Sequence, residues 1–190
     1  MENKNFDRAF IKGDNVYLRP LDVEDLEGDY IQWINDQEIT KYLDRPFPVT
    51  KEELKNYLNS IHNDPNSIFF AVIEKKSNKH IGNLKIGPID WIHRRTGFGR
   101  ILSKKVWGKK YGSEIIKLMI VYIFDQLNLN RILEHNVAEN MSAIKSNNKA
   151  GLDTEGTIKE YVFADGKYCD VVIIGLTRSR YLEKKKKGLF

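Results

Sequence analysis

Between residues 112 and 127 the chain gathers Ile115, Ile116, Leu118, Met119, Tyr122, Ile123 and Phe124, which leaves a helix over this stretch almost no polar face. Such a helix must be buried, so the rest of the chain has to supply layers that cover it. At 190 residues the chain suits one domain whose core removes roughly 70% of the unfolded surface from water. With 41% hydrophobic and 30% charged residues it is neither a disordered chain nor a membrane-spanning one.

The flanking segments supply those layers. Residues 16–21 read as a strand halted by Pro20, after which Asp22 caps an amphipathic stretch with Leu26, Tyr30, Trp33 and Ile34 at helical spacing. Thr50 and Glu53 form a capping box that opens a second helix carrying Leu54, Tyr57, Leu58 and Ile61. Residues 67–74 and 79–90 are β-rich and joined by a polar turn, and 98–102 is a short apolar strand ahead of the central helix. Residues 131–137 read as a strand, 140–150 as a helix ended by Gly151, and 157–176 as a hairpin turning at Asp165-Gly166. This order predicts a mixed α/β (α+β) single domain: a central, mostly antiparallel twisted sheet with helices on both faces. The domain is expected over residues 16–177, after an N-terminal extension (1–15) and before a basic C-terminal tail (178–190).

The net charge of +5 owes part of its value to the run Lys184 to Lys187, which lacks interleaved aromatics and reads as a solvated tail. Nucleic acid is therefore disfavoured as a partner, and so is a membrane. A single cysteine, Cys169, and four scattered histidines disfavour a disulfide or a bound metal. The polar N-terminal sequence lacks a secretory pattern, which predicts a cytoplasmic location.

The most informative stretch is the loop Val106-Trp107-Gly108-Lys109-Lys110-Tyr111-Gly112-Ser113 between a strand and the apolar helix. Backbone N–H groups at a helix N-terminus, the positive end of the helix dipole and two lysines together suit a pyrophosphate, and glycines let it approach the main chain. The loop is neither a Walker loop nor a G-x-G-x-x-G fingerprint.

These residues, with Tyr17-Leu18-Arg19-Pro20-Leu21, Trp33-Ile34-Asn35-Asp36, Ile81-Gly82, His93-Arg94-Arg95, Glu139 to Ile144, Gly151-Leu152 and Asp165 to Asp170, resemble the GNAT superfamily of N-acetyltransferases in its RimJ/RimL-like branch. The resemblance implies an acetyl-CoA-dependent N-acetyltransferase. Main-chain groups of Ile101 and Leu102 would pair with the pantetheine amides. Lys109, Lys110, Tyr111, Gly112 and Ser113 would hold the pyrophosphate, and Asn140, Ser142 and Ala143 would line the thiol end, with Asn147 close by. Asn140 has a second reading as the cap of its helix.

The chain departs from the family pattern at three positions. Lys110 stands where the family has its first loop glycine, Gly97 where many relatives carry an acidic residue, and Asn147 where many carry a tyrosine acid. Replacement proton acceptors are Glu134 and His135, which strand alternation puts on opposite faces, and His93 at the preceding turn. The missing acid favours a weakly basic acceptor, and the arginines of His93-Arg94-Arg95 suggest a nucleotide-linked amino sugar; a protein N-terminus is the other acceptor considered. Trp33, Tyr42, Phe47, Tyr161 and Phe163 either line the acceptor pocket or belong to the core. A monomer or homodimer is expected. The alternative is a catalytically degenerate module that binds acyl-CoA or a protein partner.

Overall fold

The computed structural model describes residues 8–43 and 47–190, so the first seven residues of the expected N-terminal extension lie outside the described part. The chain packs as two compact units interleaved in sequence. One comprises the chain up to Gly87 with Phe98–Tyr111; the other comprises Pro88–Gly97 with Gly112–Phe190.

The first unit holds β1 (Ile11–Lys12), β2 (Val16–Pro20), α1 (Tyr30–Ile34), α2 (Gln37–Thr40), α3 (Lys51–His62), β3 (Ile68–Glu74) and β4 (Lys79–Asp90, to Gly87), together with most of β5 (Arg95–Leu102). The strands lie in the order β1-β2-β3-β4-β5, and the pairs from β1 to β4 are antiparallel. The expected capping box forms at α3: Glu53 N donates to Thr50 Oγ1 (3.2 Å) and Thr50 N to Glu53 Oε2 (2.7 Å). Tyr17, Leu21, Leu26, Tyr30, Trp33, Leu54, Leu58 and Ile73 form the buried core. Trp33 therefore takes the core alternative, while Phe47 is exposed.

The stretch expected to run as one helix from Asp22 is instead a 3-10 turn, Val23–Glu27, closed at Gly28 and followed by α1. The cause is Asp25. Its carboxylate is committed to the Arg19 guanidinium through two bonds (2.8 and 2.6 Å) and also accepts from Asp22 N (2.8 Å). A side chain pinned at both ends tightens the first turn and leaves Gly28 N to close on Asp25 O (3.2 Å).

The second unit holds the start of β5, α4 (Tyr111–Val121, from Gly112), β6 (Arg131–Val137), α5 (Met141–Ala150), β7 (Asp153–Ala164), β8 (Lys167–Thr177) and α6 (Arg178–Lys186). Its strand order is β5-β6-β8-β7, with β5/β6 parallel and the other pairs antiparallel. The mixed, mostly antiparallel sheet flanked by helices is therefore present. β6 pairs with β8 along its whole length, whereas its pairing with β5 consists of Arg95↔Arg131 and Thr96↔Ile132. The apolar helix ends in a wider π turn over Tyr122–Gln126, where Arg178 Nη1 donates to Phe124 O (2.7 Å). Ile115, Ile116, Met119, Ile120, Ile123 and Phe124 are all buried, as the composition of this stretch requires.

The terminal lysine run differs from the solvated tail expected. It is the last part of α6, where Tyr181 is buried and stacks on Phe124 (4.7 Å). Lys184 Nζ donates to Gly151 O (2.8 Å) and Asp153 Oδ1 (2.6 Å), and Lys185 Nζ to Asp125 Oδ2 (2.6 Å). Tyr181 was the apolar signal for this docking, and the density of lysine after it masked it.

Burial, the largest influence on Asp25, would raise its pKa, but the Arg19 hydrogen bonds, the Asp22 N–H and the nearby cations together hold it below the ordinary carboxylate value. A lowered folded-state pKa gives stability that is present above the unfolded value near 4 and lost as pH falls through the folded value. Asp25→Asn should cost about 3–5 kcal/mol at neutral pH, because it strands a buried guanidinium. Urea unfolding should show that deficit shrinking as the pH is taken below 4.

Candidate active site

Residues expected to carry function fall in both units. In the first, β5 ends at Leu102 and Ser103 opens a 3-10 turn, Lys104–Val106. The Trp107 indole N–H donates to Leu102 O (3.0 Å), which fixes the chain as it leaves the strand. Gly82 on β4 lies against the same place: a Cβ there would collide with Ile101 O and the Leu102 side chain, so only glycine permits this approach. Gly108 has φ +79° with open space where a Cβ would stand, and Lys110 has φ +66°. The two left-handed residues turn the loop into α4 at Tyr111.

The loop is anchored through Glu74 at the end of β3. This nearly buried carboxylate accepts from Ser77 Oγ and from Tyr111 Oη (2.8 Å), and Lys109 Nζ lies 3.5 Å from it. The Ser77 hydroxyl, then Tyr111, hold the Glu74 carboxyl below the usual carboxylate range, with Lys109 adding to the effect. Lys109 N also donates to Val106 O (3.3 Å). Lys109 and Tyr111 thus tie the loop to the β3–β4 hairpin, and both Lys109 and Lys110 are exposed at the turn. Sequence reasoning missed Glu74, because one acidic residue at a strand end carries no signal of its partners.

In the second unit, Asn140 opens α5 by accepting from Ala143 N (3.2 Å), so its capping reading holds. Ser142 is exposed and Ala143 half-buried on the first turn. Asn147 is buried and donates through Nδ2 to Asn136 Oδ1 on β6 (3.3 Å). Asn136 Nδ2, also buried, has no hydrogen-bond partner among the described residues.

The three proposed proton acceptors part company here. His93 sits at an exposed turn whose backbone N–H donates to Asp90 Oδ1 (2.9 Å). His135 is exposed, its ring 6.1 Å from that of Tyr161. Glu134 is half-buried: its Oε1 accepts from His135 N (3.3 Å), and its Oε2 lies 3.3 Å from where a Cβ on Gly97 would be. The arginines thought to receive phosphates are engaged internally. Arg94 Nε donates to Asn128 O (2.9 Å) and its Nη2 to Asn128 Oδ1 (2.8 Å), while Arg95 Nε lies 3.1 Å from Asp90 Oδ2.

Comparison with known proteins identifies the family and the fold. The family model for the acetyltransferase (GNAT) domain matches residues 15–153. An uncharacterized N-acetyltransferase, p20, of Bacillus licheniformis is 30% identical over 171 residues, covering 88% of this chain and 96% of the relative. Spermidine N(1)-acetyltransferase of Vibrio cholerae is 28% identical over 180 residues, covering 94% and 96%. A crystal structure of the Vibrio cholerae spermidine N-acetyltransferase in complex with CoA and spermine superposes with a TM-score of 0.81 at 28% identity, covering 88% of this chain and 98% of that one.

A lysine at φ +66° carries a left-handed cost of about 1–2 kcal/mol, which glycine escapes for want of a Cβ, though its own greater loss of chain entropy offsets part of the gain. Lys110→Gly should therefore raise the stability of the free protein by about 0.5–1 kcal/mol, a rise of about 1–4 °C in melting temperature. The same variant should bind CoA more weakly, which calorimetric titration checks.

Proposed function

The chain belongs to the GNAT acetyltransferase family, and on that premise we propose that it transfers an acetyl group from acetyl-CoA to the primary amine of a small molecule, with alkyl polyamines the class favoured. It is an acyltransferase by its family, and solved relatives bind CoA. The observation that carries the cofactor reading is the loop. Gly108 and Lys110 in left-handed conformation, an exposed lysine and the start of α4 make an anchored turn suited to a phosphate-bearing ligand. The residues present fit CoA without the family's glycine at position 110, since the lysine adopts the backbone conformation a glycine would supply.

Bound acetyl-CoA supplies an activated acetyl group as its thioester. Toward it, the main-chain groups of Ile101 and Leu102 would pair with the pantetheine amides as an added strand does. Lys110, Gly112 and Ser113 would meet the pyrophosphate, with Lys109 and Tyr111 holding the turn in place from behind. Asn140, through its cap, would keep the first turn of α5 with Ser142 and Ala143 in position, and Asn147 would serve as a buried polar wall.

Two considerations shift the acceptor away from a nucleotide-linked amino sugar. Arg94 and Arg95, the proposed phosphate receivers, already hold Asn128 and Asp90. Relatives that match nine-tenths of this chain include the spermidine N(1)-acetyltransferases of Vibrio cholerae and Escherichia coli. The likeness to the RimJ/RimL-like branch, and with it a peptide N-terminus as acceptor, is the second reading, resting on the Trp107 to Glu114 loop sequence. A module that binds acyl-CoA without transfer is not favoured, because the chain's family is one of acetyltransferases and relatives along most of its length are named N-acetyltransferases.

A thermal shift is the first test. CoA or acetyl-CoA at 100 times its Kd should add about 2.7 kcal/mol to the folded state, and ATP should add far less. Release of free CoA thiol should then follow addition of spermidine more than addition of glucosamine or a tripeptide. Absence of stabilisation by any CoA species would overturn the cofactor assignment, and preference for glucosamine would overturn the acceptor class.

A further inference from the structure

An alkylammonium near pKa 10.4 has only about four molecules in ten thousand neutral at pH 7, so transfer to it needs a proton acceptor within reach. β5 offers none where its pairing with β6 stops, since the last pair is Thr96↔Ile132 and the next residue is Gly97. A Cβ at position 97 would stand 3.1 Å from Leu133 O and 3.3 Å from Glu134 Oε2, so the β6 backbone crowds a side chain there and the carboxylate that reaches this point is Glu134. Its other oxygen is held by the His135 N–H (3.3 Å), so the carboxylate is oriented along the strand edge. Two residues on, and on the same face of β6, stands Asn136, whose buried Nδ2 lacks a partner among the described residues. A buried donor without a partner is costly, and its persistence beside an oriented carboxylate marks a place that receives a polar group.

We propose that Glu134 is the catalytic base, a carboxylate supplied from β6 beside Gly97. The inference rests on the acetyl-transfer reading above. One proton passes from the acceptor ammonium to the Glu134 carboxylate. The freed nitrogen lone pair forms the N–C bond to the acetyl carbon, the C–S bond breaks, and its electron pair leaves on sulfur. The second nitrogen proton ends on that sulfur as CoA thiol, and Glu134 returns its proton to water. The net products are the N-acetylamine, free CoA and one proton.

The same geometry bears on acceptor choice. With a base present, the basicity of the acceptor ceases to be an obstacle, and the argument for a weakly basic amine from the missing acid at position 97 lapses. His93 and His135 are placed at exposed positions with no such orientation.

Glu134→Gln keeps the shape and removes the base. With spermidine as acceptor it should lower kcat at pH 7 by about 10²–10⁴-fold. Its rate should climb about tenfold per pH unit as the amine deprotonates, whereas the wild type stays flat over the same range. The melting temperature and the CoA-induced shift should match the wild type. In protein labelled with ¹³C at glutamate carboxyls, the signal lost in Glu134→Gln should move when spermidine is added to the CoA-bound wild type. A second pair of variants, Glu134→Leu and Gly97→Glu/Glu134→Leu, asks whether a carboxylate returned to β5 restores transfer, with at least tenfold recovery expected. A Glu134→Gln enzyme within threefold of the wild type and with the same pH profile would overturn the assignment alone. Wild-type protein that transfers acetyl to no amine would overturn the parent reading with it.

Discussion

The Glu74 carboxylate is the interaction on which the loop depends. Nearly buried at the end of β3, it needs partners, and it takes Ser77 from its own hairpin together with Lys109 and Tyr111 from the loop. Two of those partners come from the segment where β5 has ended and α4 is about to begin. The bond from Tyr111 therefore sets where α4 starts, and the turn before it is left to close through Gly108 and Lys110 in left-handed conformation. Trp107 and Gly82 complete the fixation from the strand side, one by holding the Leu102 carbonyl and the other by making room. The two loop lysines differ accordingly: Lys109, though exposed, reaches toward the Glu74 carboxylate, and Lys110 takes the left-handed turn.

Much of the fold was legible because strong periodic segments leave few options. The apolar run from 112 to 127 could only be a buried helix, the Thr50–Glu53 box could only open one, and Asp165-Gly166 marked a hairpin that the structure extends back to Asp153. What was not legible depended on partners distant in sequence. The break after Glu27 follows from Arg19 claiming Asp25, the docking of α6 from Tyr181 meeting Phe124, and the loop anchor from Glu74 meeting Tyr111. None of these pairs has a spacing that a local pattern could reveal. α2 and β1, too short for any periodicity, were missed for the simpler reason of length.

The candidate site shows the same division. Asn140 as a cap and Gly151 as a left-handed terminator follow from local rules and are found. Glu134, His135 and His93 were equivalent as sequence, and only placement separates them. Gly97 read in isolation looked like a lost acid. Glu134 Oε2 comes within 3.3 Å of where a Cβ at position 97 would stand, a proximity between neighbouring strands that no local motif carries. The Asn136–Asn147 pair belongs to the same polar patch, with one amide bonded and one donor left over.

The measurement that tests the central claim most directly is amide hydrogen exchange with and without CoA. If the turn anchored by Glu74 receives the pyrophosphate, the amides of residues 108–113 should slow by on the order of tenfold or more when CoA is added, and Glu74→Gln should diminish that protection. Exchange in this turn that is unchanged by saturating CoA, while another segment becomes protected, would contradict it.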